Sequence, residues 1–189
     1  MTPDAMTGGF ADAPVQSACG FRAILHALSQ PGKIVAVSGV QPPAPLSIAS
    51  GIAALVLLDD TTPVHLAGSH DCQYVRDWIT FHTGAPLVEA EHAMFAFGCW
   101  DALMPVTRFA IGTPEYPDRA ATLIVEMDRL DSDGPVLRGP GIETTARLSL
   151  PEVQAFKANR ALFPLGFDTL LAYGERLAGL PRSTIVEAV

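Results

Sequence analysis

The sequence predicts an α/β fold built on a mixed sheet, and three observations carry that reading. Apolar positions switch between helical spacing and continuous or alternating β-compatible runs from one end of the chain to the other. The later stretches, 121–148 and 167–188, hold turn residues placed for hairpins, so the sheet is mixed rather than purely parallel. No linker or internal repeat divides the chain. Residues 14–189 therefore read as a single domain, behind a flexible arm at 1–13.

Taken in order, residues 15–29 place Phe21, Ile24, Leu25 and Leu28 at i, i+3, i+4 and i+7, one face of a helix that Pro31 and Gly32 stop. A valine-rich strand follows at 33–38. The proline-dense connector 42–45 cannot be helix interior, but Pro45 suits a first helical position, opening a buried helix over 46–58. After a polar turn at 59–63 comes a short strand, 64–67. Residues 71–82 form an amphipathic helix with Tyr74, Val75, Trp78 and Ile79 on its apolar face, capped by Ser69 or the His70–Asp71 pair and ended near Gly84. A strand at 93–97, a helical turn at 100–104 and a proline-bearing loop at 112–119 lead to the strongest buried strand, 121–127. A turn at 131–134 introduces a strand at Val136 and Leu137, whose hairpin partner is 144–148. Residues 151–162 read as a helix with Pro151 first and Glu152 favourable to the helix dipole. The last stretch, from Phe163, alternates Pro and Gly with short apolar runs; it reads as strands at 168–173 and 184–186 joined by an elbow that contains Arg182.

Composition narrows the function classes. The formal charge is −8 and the only lysines are Lys33 and Lys157. Such a surface repels phosphate backbones, which argues against nucleic acid. The longest apolar run, 52–58, is far below the roughly 18–20 residues of a membrane span. The N-terminus has neither the basic region nor the apolar block of a secretory signal, so a cytoplasmic protein is expected. Cys19, Cys72 and Cys99 lack CxxC spacing and read as small buried hydrophobes with reduced thiols. With 49% hydrophobic and 17% charged residues, self-association or a partner is expected.

Chemistry-bearing groups are sparse. Gly139-Pro140-Gly141 beside Arg138 lacks the lysine and hydroxyl of a P-loop; it reads as a tight hairpin or bulge, with Arg138 as an anion or partner contact in the alternative. Arg182, Ser183 and Thr184 offer a guanidinium and two hydroxyls to an anion, although Arg182 could equally pair with Glu175 or Glu187. His82 ends a helix, either as part of a C-cap with Gly84 or as an acid–base group. His65, His70, His82 and His92 have no spacing that sets two ligands on one helix face, so no metal is expected and each reads as a surface or capping residue. Neither lysine stands in a Schiff-base setting, and no GxSxG elbow surrounds a serine.

The segments FRAILHALSQPG (21–32), LLDDTTPV (57–64), FHTGAPLV (81–88), PDRAATLIVEM (117–127), LRGPGI (137–142) and FPLGFDTLLAYGERLAGLPRSTIVEA (163–188) resemble, in order and spacing, the PhnH family of the bacterial carbon–phosphorus lyase system. The resemblance implies a cytoplasmic, homodimeric subunit of the lyase core complex. It also implies a three-layer α/β/α sandwich, like the large domain of pyridoxal-phosphate-dependent transferases but without that cofactor; no cofactor is expected. With PhnG, PhnI and PhnL, such a complex joins methylphosphonate to the ribose of ATP, giving alpha-D-ribose 1-methylphosphonate 5-triphosphate, before PhnJ breaks the carbon–phosphorus bond. The resemblance carries no catalytic set onto this chain. Arg138, Gly139, Gly141, Arg182, Ser183 and Thr184 stand as candidates for anion or partner contact, and His82 as an acid–base candidate. The rival expectation is an autonomous small-molecule enzyme, or an anion-binding protein, with a pocket between protomers.

Overall fold

The computed structural model describes residues 6–187. In chain order the elements are α1 (Ala13–Ser29), β1 (Ile34–Ala36), α2 (Ile48–Leu57), β2 (Val64–Leu66), α3 (Gln73–Thr83), β3 (Phe95–Cys99), α4 (Trp100–Leu103), β4 (Thr122–Glu126), β5 (Val136–Arg138), β6 (Ala146–Arg147), α5 (Val153–Ala161), β7 (Asp168–Tyr173), β8 (Arg176–Leu180) and β9 (Ile185–Glu187). The fold is mixed α/β, as expected. Six strands form one sheet in the order β1-β8-β7-β4-β3-β2, and β6-β5-β9 form a small second sheet. In the large sheet β2, β3, β4 and β7 run parallel, β8 is antiparallel to β7, and β1 beyond it pairs antiparallel with β8.

Alternation along the central strands builds a core on each face of the sheet. Ile124, Leu170 and Ala172 face one core with Ile52, Val75 and Trp78 from the helices; Leu123, Val125 and Leu171 face the other with Leu103, Leu137 and Phe156. Because both faces are covered, β4 reads as the unbroken apolar run that made 121–127 the clearest strand in the sequence.

Several boundaries and faces differ from expectation. The fully buried positions of α1 are Gly20, Ile24 and Ala27, whereas Phe21 and Leu25 are 52% and 54% exposed. Close packing explains this. A Cβ on Gly20 would sit 2.9 Å from methyls of Ile52 and Val56, and one on Gly179 of β8 would sit 2.7 Å from the backbone of Ala27. Small residues set these approaches, so Ile24 and Leu28 reach the core while Phe21 and Leu25 fall outside it. Tyr74 of α3 is likewise exposed. Helix α2 begins at Ile48 rather than at Pro45, because the Ser47 hydroxyl accepts from the Ser50 N–H and caps it there. Helix α3 has no side-chain cap: Asp71 pairs instead with Arg76, whose guanidinium is raised in pKa by that hydrogen bond. Helix α5 starts at Val153, leaving Pro151 outside, and Glu152 accepts from the Trp100 indole N–H at 3.1 Å. In the C-terminal stretch the segment between the two expected strands is itself a strand, β8, which forms a hairpin with β7, and β9 leaves to join β5. Of the N-terminal arm, residues 1–5 lie outside the described residues. The Thr7 carbonyl accepts from the Trp78 indole at 3.0 Å, and Phe10 packs on the first core. Cys19 and Cys99 are exposed free thiols rather than buried hydrophobes, Cys19 on the outer flank of α1 and Cys99 at the end of β3.

Candidate functional site

The pairing of β5 with β9 brings two of the sequence-predicted stretches together. Arg138 is in register with Ile185, and a Cβ on Gly139 would lie 3.2 Å from the Ser183 carbonyl oxygen. Gly141 has φ +81°, and any side chain there would overlap the Ser29 carbonyl at the end of α1. Residues 138–141 and 182–184 thus make one corner against α1. Its groups are largely engaged within the fold. Arg138 pairs with Glu187 at 3.2 Å and donates to the Thr144 carbonyl. Arg182 pairs with neither Glu175 nor Glu187: its guanidinium grips Asp168, with Nη2 to Oδ2 at 2.6 Å, and Nη1 donates to the Pro117 carbonyl, also at 2.6 Å. The backbone N–H of Arg182 donates to Asp168 as well, at 2.8 Å, so the turn after β8 is fixed to the start of β7 and to the loop at 112–119. Thr184 is 3% exposed, and its hydroxyl has no partner among the described residues.

His82 lies elsewhere, on the last turn of α3, where a ring nitrogen is 3.3 Å from the Thr7 carbonyl and the ring packs against Trp78 and Phe81. Gly84 closes that helix in the left-handed conformation at φ 73°, as expected of a C-cap.

A second group had not been singled out. The parallel strands release their carboxyl ends at Ala67–His70, Cys99 and Glu126, the edge where α/β sheets receive ligands. There Glu126 Oε2 accepts from the Ser50 hydroxyl at 2.6 Å and from the Ser47 N–H at 3.2 Å. Helix α2 has no acidic residue in its first turn, so this carboxylate from β4 supplies the negative charge its N-terminus favours. His70, expected as a surface or capping residue, is 2% exposed and caps no helix by its side chain, and its Nε2 lies 3.9 Å from the same oxygen. Glu126 lines a cleft of about 480 Å³ with Cys99, Trp100, Asp128 and Leu150. The available signal was an acid closing a buried strand run and a Ser-x-x-Ser opening an apolar helix; neither matches a spacing-based motif. Among the described residues, no cluster of three or more His, Cys, Asp or Glu side chains is arranged to hold a metal, and no helix is long and apolar enough to cross a membrane.

The chain belongs to the bacterial phosphonate metabolism protein family (PhnH), whose model matches residues 8–187. The chain is 40% identical, over 96% of its length and 95% of the relative's, to the protein of Rhizobium meliloti (strain 1021) described as alpha-D-ribose 1-methylphosphonate 5-triphosphate synthase subunit PhnH. It is 29% identical, over 93% of each chain, to the putative C-P lyase subunit protein HtxG of Stutzerimonas stutzeri.

Proposed function

We propose that this chain is the PhnH-type subunit of a carbon–phosphorus lyase complex. In this reading it supports formation of alpha-D-ribose 1-methylphosphonate 5-triphosphate as an assembly component that is inactive alone. The observation that carries the reading is the 40% identity along nearly the whole length of a relative that bears that subunit's name. The engagement of Arg138 and Arg182 within the fold supports an assembly role over stand-alone chemistry. So do the exposed apolar side chains Phe21, Leu25 and Phe81, which suit an assembling chain. The chain acts in the cytoplasm as a homodimer, with PhnG, PhnI, PhnJ and PhnL as its neighbours and no cofactor of its own. Its layers follow the three-layer α/β/α plan of the pyridoxal-phosphate transferase large domain. The corner of Arg138, Gly139, Gly141, Arg182, Ser183 and Thr184 is its partner contact, made by the outer surface of the corner while Asp168 holds the Arg182 guanidinium. Affinity capture from cells grown on methylphosphonate as sole phosphorus source tests this. Recovery of sister subunits is expected, with no turnover of ATP and methylphosphonate by the purified chain. Capture of the chain alone, or turnover by it, refutes the reading.

A further inference from the structure

Strands β4 and β7 are parallel, with Thr122 in register with Asp168, so the segments that enter them open at one edge of the sheet. This is the amino-terminal edge, at the far end of β4 from Glu126. The loop at 112–119 leads into β4, and residues 162–166 lead from α5 into β7. The two are tied together where the Gly166 N–H donates to the Ile111 carbonyl at 3.0 Å. The loop is also fixed from below, because Arg182 holds the Pro117 carbonyl. On this edge the large apolar side chains Tyr116, Leu162 and Phe163 are exposed.

Each of the two segments carries an arginine laid over an aromatic ring. The Arg119 guanidinium lies 4.1 Å from the centre of the Tyr116 ring, and that of Arg160 lies 4.7 Å from the Phe163 ring. A ring engages the charge of a guanidinium but cannot accept its several N–H groups as a carboxylate does. Among the described residues neither guanidinium has a carboxylate or a carbonyl as partner. The acids of the same loop, Glu115 and Asp118, are exposed and make no ion pair with Arg119. In Arg160 the Nε is buried, whereas the terminal nitrogens are not. A chain of formal charge −8 thus leaves two ring-supported cations without an acid at one edge, beside exposed apolar side chains.

We propose that this edge docks an acidic segment of a sister subunit. Carboxylates of that segment meet the terminal N–H groups of Arg119 and Arg160, and its apolar side chains cover Tyr116, Leu162 and Phe163. Charge complementarity selects an acidic occupant, and arginine with an aromatic neighbour is a composition favoured where protein surfaces meet. A free phosphate would use the guanidinium groups but leave the apolar side chains in water, so a polypeptide fits better. The rings and the tethered loop hold both arginines in place beforehand, which lowers the cost of ordering them on binding. That the occupant is a sister subunit rests on the assembly reading above; its chemistry rests on this edge alone.

The test uses the full-length chain co-expressed with the sister subunits. Capture is compared for the wild type, Arg119→Gln, Arg160→Gln and the double variant, with Arg129→Gln at the opposite edge as a charge control. Each single variant is expected to bind about threefold more weakly and the double about tenfold or more, with wild-type capture falling as salt is raised. The control should capture as the wild type does. A second readout needs no variant: phenylglyoxal followed by mass spectrometry should modify Arg119 and Arg160 in the free chain and spare both in the captured complex. Undiminished capture by the double variant, or unprotected arginines in the complex, overturns docking at this edge and leaves the assembly reading standing. Equal loss from Arg129→Gln overturns it as well, because net charge alone would then explain the effect. Wild-type capture of further copies of this chain only, or of nothing, overturns both readings.

Discussion

Replacing Asp168 with alanine should reveal whether Arg182 is a clamp of the fold or a free ligand group. The Arg182 side chain is 14% exposed and that of Asp168 26%, and they meet at 2.6 Å. The same carboxylate also accepts the Arg182 N–H, so two kinds of donor lose their acceptor at once. Breaking a fully buried pair costs about 3–5 kcal/mol, because it strands the surviving charge. A quarter of this carboxylate still sees water, so the expected loss is discounted to about 2–4 kcal/mol. That is a large fraction of the total stability, about 5–15 kcal/mol for a domain. The Arg138–Glu187 pair is the internal comparison: its side chains are 50% and 47% exposed, so Glu187→Ala should cost no more than about 1 kcal/mol. Urea unfolding of the two single variants reads the difference through the midpoint at unchanged slope. The double variant Asp168→Ala/Arg182→Met should be more stable than Asp168→Ala alone, since removing the stranded guanidinium removes the penalty. An Asp168→Ala midpoint indistinguishable from that of Glu187→Ala would refute the clamp and return Arg182 to the pool of free anion contacts.

Two further expectations follow from the same geometry. Gly179→Ala should cost about 1–3 kcal/mol, because the added methyl would press on the backbone of Ala27 and Leu28, which has no flexible side chain to yield; a melting curve superimposable on the wild type would show that α1 can lift from β8 at no cost. Asp59 should titrate below its ordinary 3.8, held there first by the Thr61 hydroxyl and then by the Thr61 N–H. A depressed folded-state pKa means that the contribution to stability is present above the unfolded value and fades as pH falls through the folded one. Carboxyl NMR titration checks this: Thr61→Val should move the Asp59 midpoint back toward 3.8, and an unmoved midpoint would contradict the assigned cause.

How much of this was legible depended on whether a feature is local. Strand β4 was plain because burial on both faces leaves an unbroken apolar run, and α3 because Val75, Trp78 and Ile79 share one face and Gly84 supplies the left-handed cap. The buried face of α1 was not legible. Its spacing marked Phe21 and Leu25 as apolar neighbours, but which side turns inward is set by how closely α2 and β8 approach, and Gly20 and Ala27 record that approach without any hydropathy signal. Strand β8 was missed for a related reason: Gly179 and the Gly174 turn look like punctuation until the hairpin with β7 is drawn.

The site followed the same rule. The corner of Arg138–Gly141 and Arg182–Thr184 was flagged stretch by stretch, but that the two stretches meet required the crossover of β9 onto β5, and that Asp168 rather than Glu175 or Glu187 holds Arg182 required the β7–β8 hairpin. Glu126 and His70 lie 56 positions apart and share no motif; parallel strands bring them to one edge of the sheet. A carboxylate that ends a buried strand has to be satisfied by something. Ser47 and Ser50 satisfy one oxygen of Glu126 and leave the other facing the cleft, so the most informative residue of this edge is the one whose hydrogen bonds the chain itself leaves incomplete.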